Sequence, residues 1–281
     1  MRFQKMHGLG NDFILFDEID PAKFDLSAMA IGLCDRHQGI GADGIILILP
    51  SEIANVRMRI INSDGSEANM CGNGIRCFAK YVYDNHIKSD KSFTIETGAG
   101  VMIPELIFDN EKVKYVRVNM GIPVFERAAI PMKGSAGSVI GETFHISGKE
   151  IKITSLLMGV PHTIVFVDDV LNTDIVTIGR KIETHQLFPE KTNVNFVQVV
   201  NDREIKVRTW ERGAGSTLAC GTGSCASAVA AFVNGYCGKV LTVHLTLGDL
   251  KIEWIDGIVY MTGTANHVFE GQVDLSKYLH G

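Results

Sequence analysis

The sequence predicts an α/β (α+β) fold built from two similar halves, each with many strands around few helices. The first basis is a repeat, because a Cys-Gly-x-Gly turn followed by an apolar, helix-like run occurs at Cys71 and again at Cys220. The second basis is spacing: the 149 residues that separate these cysteines also separate Asp25 from Asp174, and each aspartate precedes a helix-like segment. Short strand-like runs bounded by turn residues occupy the intervals in both halves. Together these observations indicate an internal duplication.

The predicted elements of the first half follow in a regular order. Asp25 supplies a carboxylate N-cap for a helix with one apolar face, made by Leu26, Met29, Ala30 and Leu33. A second helix is predicted over 75–83, directly after Cys71. Strands are predicted at 13–16, 45–49, 56–61, 93–96, 101–108 and 113–119 from their apolar runs and flanking turns.

The second half repeats this order. We predict helices over 174–185 and 225–232, and strands at 163–167, 194–200, 204–210, 240–255 and 258–261. The helix after Cys220 is apolar nearly all round, which predicts a sheet wrapped about it. The Pro- and Gly-rich segment 122–149 is expected to connect the halves. The predicted domains are therefore 1–121 and 122–263, with the tail 264–281 returning to the first domain.

Composition limits the class of protein. The 281 residues are 46% hydrophobic and 21% charged, as in an ordinary globular protein with ample core. A net charge of −5 gives no electrostatic reason to expect nucleic acid or an anionic membrane as a partner. The absence of a signal-like start and of a long apolar run favours a cytoplasmic location. Six cysteines in this pattern predict reduced thiols, and their spacing does not predict a zinc site.

The two cysteine turns point to chemistry. Each thiol is predicted at a helix N-terminus, where backbone N–H groups and the helix dipole favour an anion and lower a thiol pKa from about 8.5. Two halves related by a pseudo-twofold axis would bring Cys71 and Cys220 face to face as a pair of bases. The alternative is a purely structural duplication that keeps its glycines for tight turns.

Five motifs resemble one family. The two cysteine signatures are Asn62-x-Asp64-Gly65-Ser66-x-Ala68-x-x-Cys71-Gly72-Asn73-Gly74-x-Arg76-Cys77 and Glu211-Arg212-Gly213-x-Gly215-x-Thr217-x-x-Cys220-Gly221-Thr222-Gly223. The other three are His7-Gly8-x-Gly10-Asn11-Asp12-Phe13, Met158-Gly159-x-Pro161-His162 and Phe188-Pro189-Glu190-x-x-Asn193. In this order they resemble the diaminopimelate epimerase family over nearly the whole chain.

The resemblance implies a cofactor-independent epimerase that interconverts LL- and meso-diaminopimelate for lysine and cell-wall synthesis. It also implies two pseudo-symmetric domains, each a barrel-like, mostly antiparallel sheet around a central helix. Inversion of a stereocentre needs a base on one face and an acid on the other, which one thiolate and one thiol provide. The expected partner is therefore a small amino acid, with no cofactor and no metal, and a homodimer is among the expectations.

The resemblance also implies a set of site residues. Cys71 and Cys220 are the expected catalytic pair, and His162 and Glu211 are the expected supporting residues. The expected substrate-binding residues are Asn11, Asn62, Gly72, Asn73, Asn193, Glu211, Arg212, Gly221 and Thr222. Without the family, each asparagine is more typical of a backbone cap and His162 of a core histidine. The other four cysteines, Cys34, Cys77, Cys225 and Cys237, are expected to be small buried hydrophobic residues.

Two departures from the family pattern leave alternatives open. Val160 stands where the family commonly has Asn, and Gly44 stands where some members have Gln. Both bear on recognition of the substrate side chain, so a racemase or epimerase of another free amino acid is the first alternative. The second is a ligand-binding or structural protein with inert thiols. Pyridoxal phosphate chemistry is disfavoured because two thiols already account for inversion.

Overall fold

The structure is a computed structural model that describes residues 1–146 and 148–280. Within these ranges the α-helices are α1 (Leu26–Cys34), α2 (Gly72–Asp84), α3 (Ile175–Glu183) and α4 (Gly221–Val233). The strands up to residue 121 are β1 (Arg2–Gly8), β2 (Asn11–Phe16), β3 (Gly44–Leu49), β4 (Val56–Asn62), β5 (Glu67–Ala68), β6 (Ile95–Thr97), β7 (Gly100–Met102), β8 (Glu105–Asp109) and β9 (Lys112–Gly121). The later strands are β10 (Val139–Ile146), β11 (Lys149–Met158), β12 (Val160–Phe166), β13 (Asn193–Asn201), β14 (Glu204–Glu211), β15 (Gly215–Thr217), β16 (Val240–Leu245), β17 (Gly248–Ile255), β18 (Ile258–Gly263) and β19 (Asn266–Gln272). Short 3-10 helices occupy Pro21–Lys23 and Ser276–Tyr278.

The chain forms two compact units. Unit 1 contains Met1–Val118 and the C-terminal segment that begins at Gly263, and unit 2 contains Asn119–Thr262. The predicted domain limits at residues 121 and 263 stay a prediction. Residue 147 of the predicted connection and residue 281 of the predicted tail lie outside the described residues.

Unit 1 is a sheet with a helix on each face. Its strand order is β19-β1-β2-β3-β4-β6-β7, with β5 on β4, and the pairs β2–β3 and β4–β6 are parallel. Strand β3 is buried along its whole length because its alternate side chains pack against the helices on the two opposite faces of the sheet. Ile45 and Leu47 belong to the apolar cluster of α1, whereas Ile46 and Ile60 lie against Gly74 of α2. Helix α2 is therefore held over the centre of the sheet.

Unit 2 wraps its sheet around α4. The order of its strands is β10-β11-β12-β13-β14-β16-β17-β18, with β15 on β14. Helix α4 contacts β11, β12, β13, β14, β16 and β17. Six strands span about 24 Å at their usual spacing, while a helix is about 10 Å wide, so the sheet must curve around α4. The described strands nevertheless run from one edge to another in each sheet, and no closed barrel is formed among them.

The duplication inferred from the sequence is visible in the elements. Helices α2 and α4 each have 13 residues, and their first residues are 149 positions apart. Asp25 and Asp174 both act as N-caps, since each side chain accepts a 3.0 Å hydrogen bond from the backbone N–H three residues later. The predicted fold class, a mixed α/β protein with two sheet-rich units and few helices, is confirmed.

Several predicted boundaries were wrong for physical reasons. The predicted strand 101–108 is interrupted between β7 and β8 at Pro104, which has no N–H to donate to a ladder. The predicted strand 240–255 is a hairpin of β16 and β17. The predicted connection contains a strand, β10, that pairs with β11. None of the helices in the described ranges is long and apolar enough to cross a membrane.

Candidate active site

Cys71 is the N-cap of α2. Its backbone is extended, with φ −138°, and its Sγ atom accepts a hydrogen bond of 3.4 Å from the N–H of Gly74. Gly72 is the first residue of the helix, so the thiol lies at the positive end of the helix dipole. The side chain is half-buried. The sequence prediction of a thiol at this helix end is therefore confirmed.

Two amide side chains surround the Cys71 thiol. The thiol donates to Oδ1 of Asn11 over 3.5 Å, and Nδ2 of Asn73 donates to the same oxygen over 3.2 Å. Oδ1 of Asn73 accepts from the buried guanidinium of Arg76 over 3.0 Å, and Nδ2 of Asn11 donates to Asp43 over 2.8 Å. Charged partners thus fix both amide orientations, and the Asn11 oxygen must face the thiol.

An ionic network stands behind Asn11. The guanidinium of Arg36 lies 2.8 Å from carboxylate oxygens of both Asp12 and Asp43, and the buried Lys5 ammonium lies 2.8 Å from Asp12. Burial alone would raise the pKa of Asp12, but hydrogen bonds from Arg36 and Lys5 outweigh burial and lower the pKa to about 2. The network is therefore ionised at neutral pH and holds the Asn11 end of the cluster in place.

Cys220 has the corresponding position on α4. It is the N-cap, its Sγ accepts a hydrogen bond from the N–H of Gly223 over 3.4 Å, and Sγ lies 3.5 Å from Oγ1 of Thr222. Unlike Cys71, it is buried. Burial and then the negative charge of Glu211 raise the pKa of Cys220 well above its ordinary value, which outweighs the helix N-terminus. The sequence prediction of a lowered pKa was wrong for this thiol.

Three further expected site residues lie at the start of β13 and the end of β14. Glu211 accepts a hydrogen bond from the hydroxyl of Thr217 over 2.5 Å. Asn193 is buried, its Oδ1 accepts from the backbone N–H of Arg212, and its Nδ2 donates to the carbonyl of Pro161. The exposed Arg212 side chain donates to the carbonyl of Glu190. Asn193 thus holds together the two segments that carry Arg212 and His162.

His162 is fully buried on β12. Its Nδ1 lies 3.1 Å from Nδ2 of Asn195, and Oδ1 of Asn195 accepts from the hydroxyl of Thr209 over 3.0 Å. Burial, with a smaller contribution from the charge of Arg212, lowers the pKa of His162 to about 3. The imidazole is therefore neutral at physiological pH.

The expected site residues fall into one cluster per unit. Unit 1 brings together Asn11, Cys71, Gly72 and Asn73, and unit 2 brings together His162, Asn193, Glu211, Arg212, Cys220, Gly221 and Thr222. Asn62 differs, because its side chain donates to Ser66 across the turn after β4. The role of each residue in binding or catalysis stays a prediction. The four other cysteines are buried, as expected.

Sequence reasoning missed Arg76, Asn195 and Thr209. Arg76 was part of a matched motif, but nothing in the pattern indicated that its charge would be buried against Asn73. Asn195 carried a signal that was available in the sequence: it interrupts an apolar strand at the position where the first half has Ile46. Comparison of the two halves for polar residues at apolar positions would have found it.

Comparison with solved structures places the fold. A probable proline racemase from Agrobacterium radiobacter matches with a TM-score of 0.70 and 17% identity, covering 98% of this chain and 93% of the other. A phenazine biosynthesis protein of the PhzF family from Bacillus anthracis matches with a TM-score of 0.68 and 17% identity, covering 97% and 98%. The chain therefore shares its overall fold with these two proteins.

Sequence comparison then gives the family. The model of the family described as diaminopimelate epimerase matches residues 3–126 and 154–268. Proteins named diaminopimelate epimerase from Pelotomaculum thermopropionicum and Moorella thermoacetica are 52% and 50% identical, covering 97% and 98% of this chain and 98% and 100% of the relatives. The chain belongs to the diaminopimelate epimerase family, as its motifs predict.

Proposed function

We propose that the protein is a diaminopimelate epimerase that interconverts the LL and meso forms by moving one α-proton between two cysteines. The observation that carries the proposal is the matched placement of Cys71 and Cys220 as N-caps of α2 and α4. The family membership supplies the substrate, and the paired thiols supply a base and an acid without a cofactor.

The proposed reaction begins with one thiolate and one thiol. The thiolate takes the α-proton, so that the Cα–H bond breaks and an S–H bond forms. The second thiol then gives its proton to the opposite face of the carbanion and becomes the thiolate. Because the reaction is reversible, Cys71 and Cys220 exchange the roles of base and acid with the direction of the reaction.

The helix N-termini have a second proposed task. A thiolate is a weak base for the α-proton of an amino acid, so the negative charge that develops must be stabilised. Helix N-termini bind anions through their first N–H groups. We assign the α-carboxylate to the first amides of the two helices, at Gly72–Asn73 and Gly221–Thr222, where glycine permits close approach. Asn11, Asn62, Asn193 and Arg212 remain proposed ligands of the distal amino-acid head, and Glu211 remains a proposed supporting and substrate-binding residue near Cys220.

Proton NMR with LL-diaminopimelate in D2O tests the proposal. Reduced protein should introduce deuterium at the α-carbon while the meso form appears. Cys71→Ala and Cys220→Ala should each lower the rate by more than about 10³-fold, since loss of one member disables a catalytic set. Cys237→Ala, which removes a buried thiol beyond the C-terminal end of α4, should keep the rate. Full activity of Cys71→Ala or of Cys220→Ala would refute the two-base mechanism.

Two positions favour a second candidate, a racemase or epimerase of another free amino acid. Val160 is apolar at the start of β12, and a Cβ at Gly44 would lie 2.8 Å from the carbonyl oxygen of Ile61. Val160 therefore lacks the polar side chain that is common in the family, and Gly44 lacks the one that some members have. Absence of exchange with LL-diaminopimelate, together with exchange in another amino acid, would select this candidate.

A homodimer and a cytoplasmic location stay predictions. The exposed apolar residues Val268 and Phe269 on β19, the edge strand of the unit 1 sheet, are consistent with a self-association surface. The proposed chemistry depends on neither expectation.

A further inference from the structure

The duplication provides an internal comparison for the surroundings of His162. Moving back 149 residues from His162, Asn195 and Thr209 gives Phe13, Ile46 and Ile60, which occupy the same strand positions in unit 1. All six side chains are buried. Unit 1 thus fills these positions with apolar residues, whereas unit 2 buries a row of polar ones. Burial of polar groups costs free energy unless each is hydrogen-bonded, so packing alone does not account for this row.

The hydrogen bonds of this row fix the orientation of the Asn195 amide. The hydroxyl of Thr209 donates to Oδ1 of Asn195, so the Nδ2 group of Asn195 is the one that faces His162. An amide NH2 can only donate, and therefore Nδ1 of His162 must be the acceptor. The single proton of the neutral imidazole is then on Nε2.

The first turn of α4 supports this arrangement. A Cβ at Gly223 would lie 2.4 Å from Oδ1 of Asn195, so the amide oxygen rests directly against the turn that Cys220 caps. In the parallel pairing of β12 with β13, His162 is opposite Asn193, two residues before Asn195, and Asn195 is directly opposite Thr209 on β14. The row and the cysteine turn are therefore one packed assembly.

The other end of the imidazole has no hydrogen-bond partner among the residues that the structure describes. Nε2 of His162 is buried and makes no hydrogen bond to any residue within 1–146 or 148–280. A buried donor without an acceptor costs about 1–3 kcal/mol. The row thus holds His162 as a neutral imidazole. Its Nε2–H has a fixed direction and is available to an acceptor outside the described residues.

We infer that Asn195 and Thr209 are positioning residues that hold His162 in its Nε2–H tautomer, which makes His162 a fixed hydrogen-bond donor to an anion. A carboxylate of a bound amino acid has this acceptor chemistry. The identity of the anion rests on the proposed epimerase function, whereas the tautomer does not. His162 then stabilises negative charge and does not itself remove the α-proton.

The tautomer can be measured directly by ¹⁵N NMR of histidine-labelled protein. Wild type should show a pyrrole-type shift at Nε2 of His162 and a pyridine-type shift at Nδ1. Asn195→Asp presents only acceptors to Nδ1 and should reverse the two shifts. Thr209→Val frees the amide to flip and should give a mixture, which Thr209→Ser should return to the wild-type pattern. Thr154→Val removes another buried threonine hydroxyl, one that bonds Asn234, and should leave the shifts of His162 unchanged.

Kinetics with the same variants test the link to the reaction. Asn195→Asp and Thr209→Val should lower kcat/KM by roughly 10- to 100-fold, as loss of the outer partner of a functional histidine does. Circular dichroism identifies any variant that fails to fold, and Thr209→Val carries the test if Asn195→Asp does not fold. A pyrrole-type Nδ1 in wild type, or reversed shifts with unchanged kcat/KM, would overturn the inference. The predicted tautomer in a protein without epimerase activity would instead count against the proposed function.

Discussion

The buried histidine gives the protein a specific acid sensitivity. An unfolded chain binds a proton at His162 below pH 6.5, whereas the folded chain does so only near pH 3, because burial lowers the pKa of His162. The unfolded state therefore binds more protons between these values, and stability falls as pH decreases through this window. The loss between pH 7 and pH 5 should be about 2 kcal/mol from this residue.

Urea unfolding of wild type and His162→Phe at both pH values measures this effect. The variant carries phenylalanine, the residue that the first half has at the matching position 13. Its free energy of unfolding should therefore fall by about 2 kcal/mol less than that of wild type between pH 7 and pH 5. His145→Gln removes an exposed histidine and should retain the wild-type slope. Equal slopes in wild type and His162→Phe would mean that folding does not lower the pKa of His162.

At the residue scale, sequence predicted the thiols better than their surroundings. The Cys-Gly-x-Gly pattern placed both cysteines at helix N-termini, because short side chains and glycine are what a cap and a first turn require. It did not predict the raised pKa of Cys220, because that shift arises from burial and from Glu211, nine residues earlier in the sequence. A local motif does not show which of its residues the rest of the fold will bury.

The two cysteine helices differ at one glycine in each first turn. A Cβ at Gly74 would lie 3.2–3.3 Å from the Cδ1 atoms of Ile60 and Ile46, which are flexible side-chain ends. A Cβ at Gly223 would lie 2.4 Å from Oδ1 of Asn195. The Asn195 amide is held by one hydrogen bond at each end, to His162 and to Thr209. Alanine is otherwise preferred to glycine in a helix by about 1 kcal/mol.

Substitution by alanine should therefore be nearly neutral in α2 and destabilising in α4. Gly74→Ala should stay within about 1 kcal/mol of wild type, since the gain in helix propensity offsets a small shift of Ile46 and Ile60. Gly223→Ala should cost about 1–3 kcal/mol and displace Asn195. Urea unfolding measures both, and ¹⁵N shifts of His162 report the displacement. Equal free energies of unfolding for the two variants would contradict the packing described for Gly223.

At the element scale, sequence predicted helices and their caps more reliably than strand limits. Asp25 and Asp174 were identified as helix starts because an N-cap is a local hydrogen bond. The limits of β16 and β17 were missed because the two strands of a hairpin share one apolar pattern, and only a turn separates them. Strand ends depend on partners that are distant in sequence.

At the scale of the whole molecule, the internal duplication was the most informative signal. The two units share helix lengths, N-caps and the path of their central strands, so a single offset predicted much of the fold. The same offset marks where the units differ, at His162, Asn195 and Thr209. Repetition therefore identifies the scaffold, and departures from it identify candidate function.

The C-terminal end contributes to the core of unit 1 from the far end of the chain. Tyr278 is buried against α1, and its backbone carbonyl accepts a hydrogen bond of 2.9 Å from the N–H of Asp25. A Cβ at Gly32 would lie 2.1 Å from the Tyr278 hydroxyl, so the lack of a side chain at Gly32 leaves room for the Tyr278 ring beside α1. That hydroxyl is buried and has no hydrogen-bond partner among residues 1–146 and 148–280.

Two substitutions at Tyr278 should therefore have opposite effects. Tyr278→Ala should lower the free energy of unfolding by about 3–5 kcal/mol, because it leaves a ring-sized cavity beside α1. Tyr278→Phe keeps the ring and removes an unpaired polar group, so it should be neutral or stabilising by about 1 kcal/mol. Tyr236→Phe, at an exposed tyrosine, controls for loss of a hydroxyl in general. Urea unfolding measures all three, and a loss of more than about 1 kcal/mol in Tyr278→Phe would show that the hydroxyl has a partner in the folded protein.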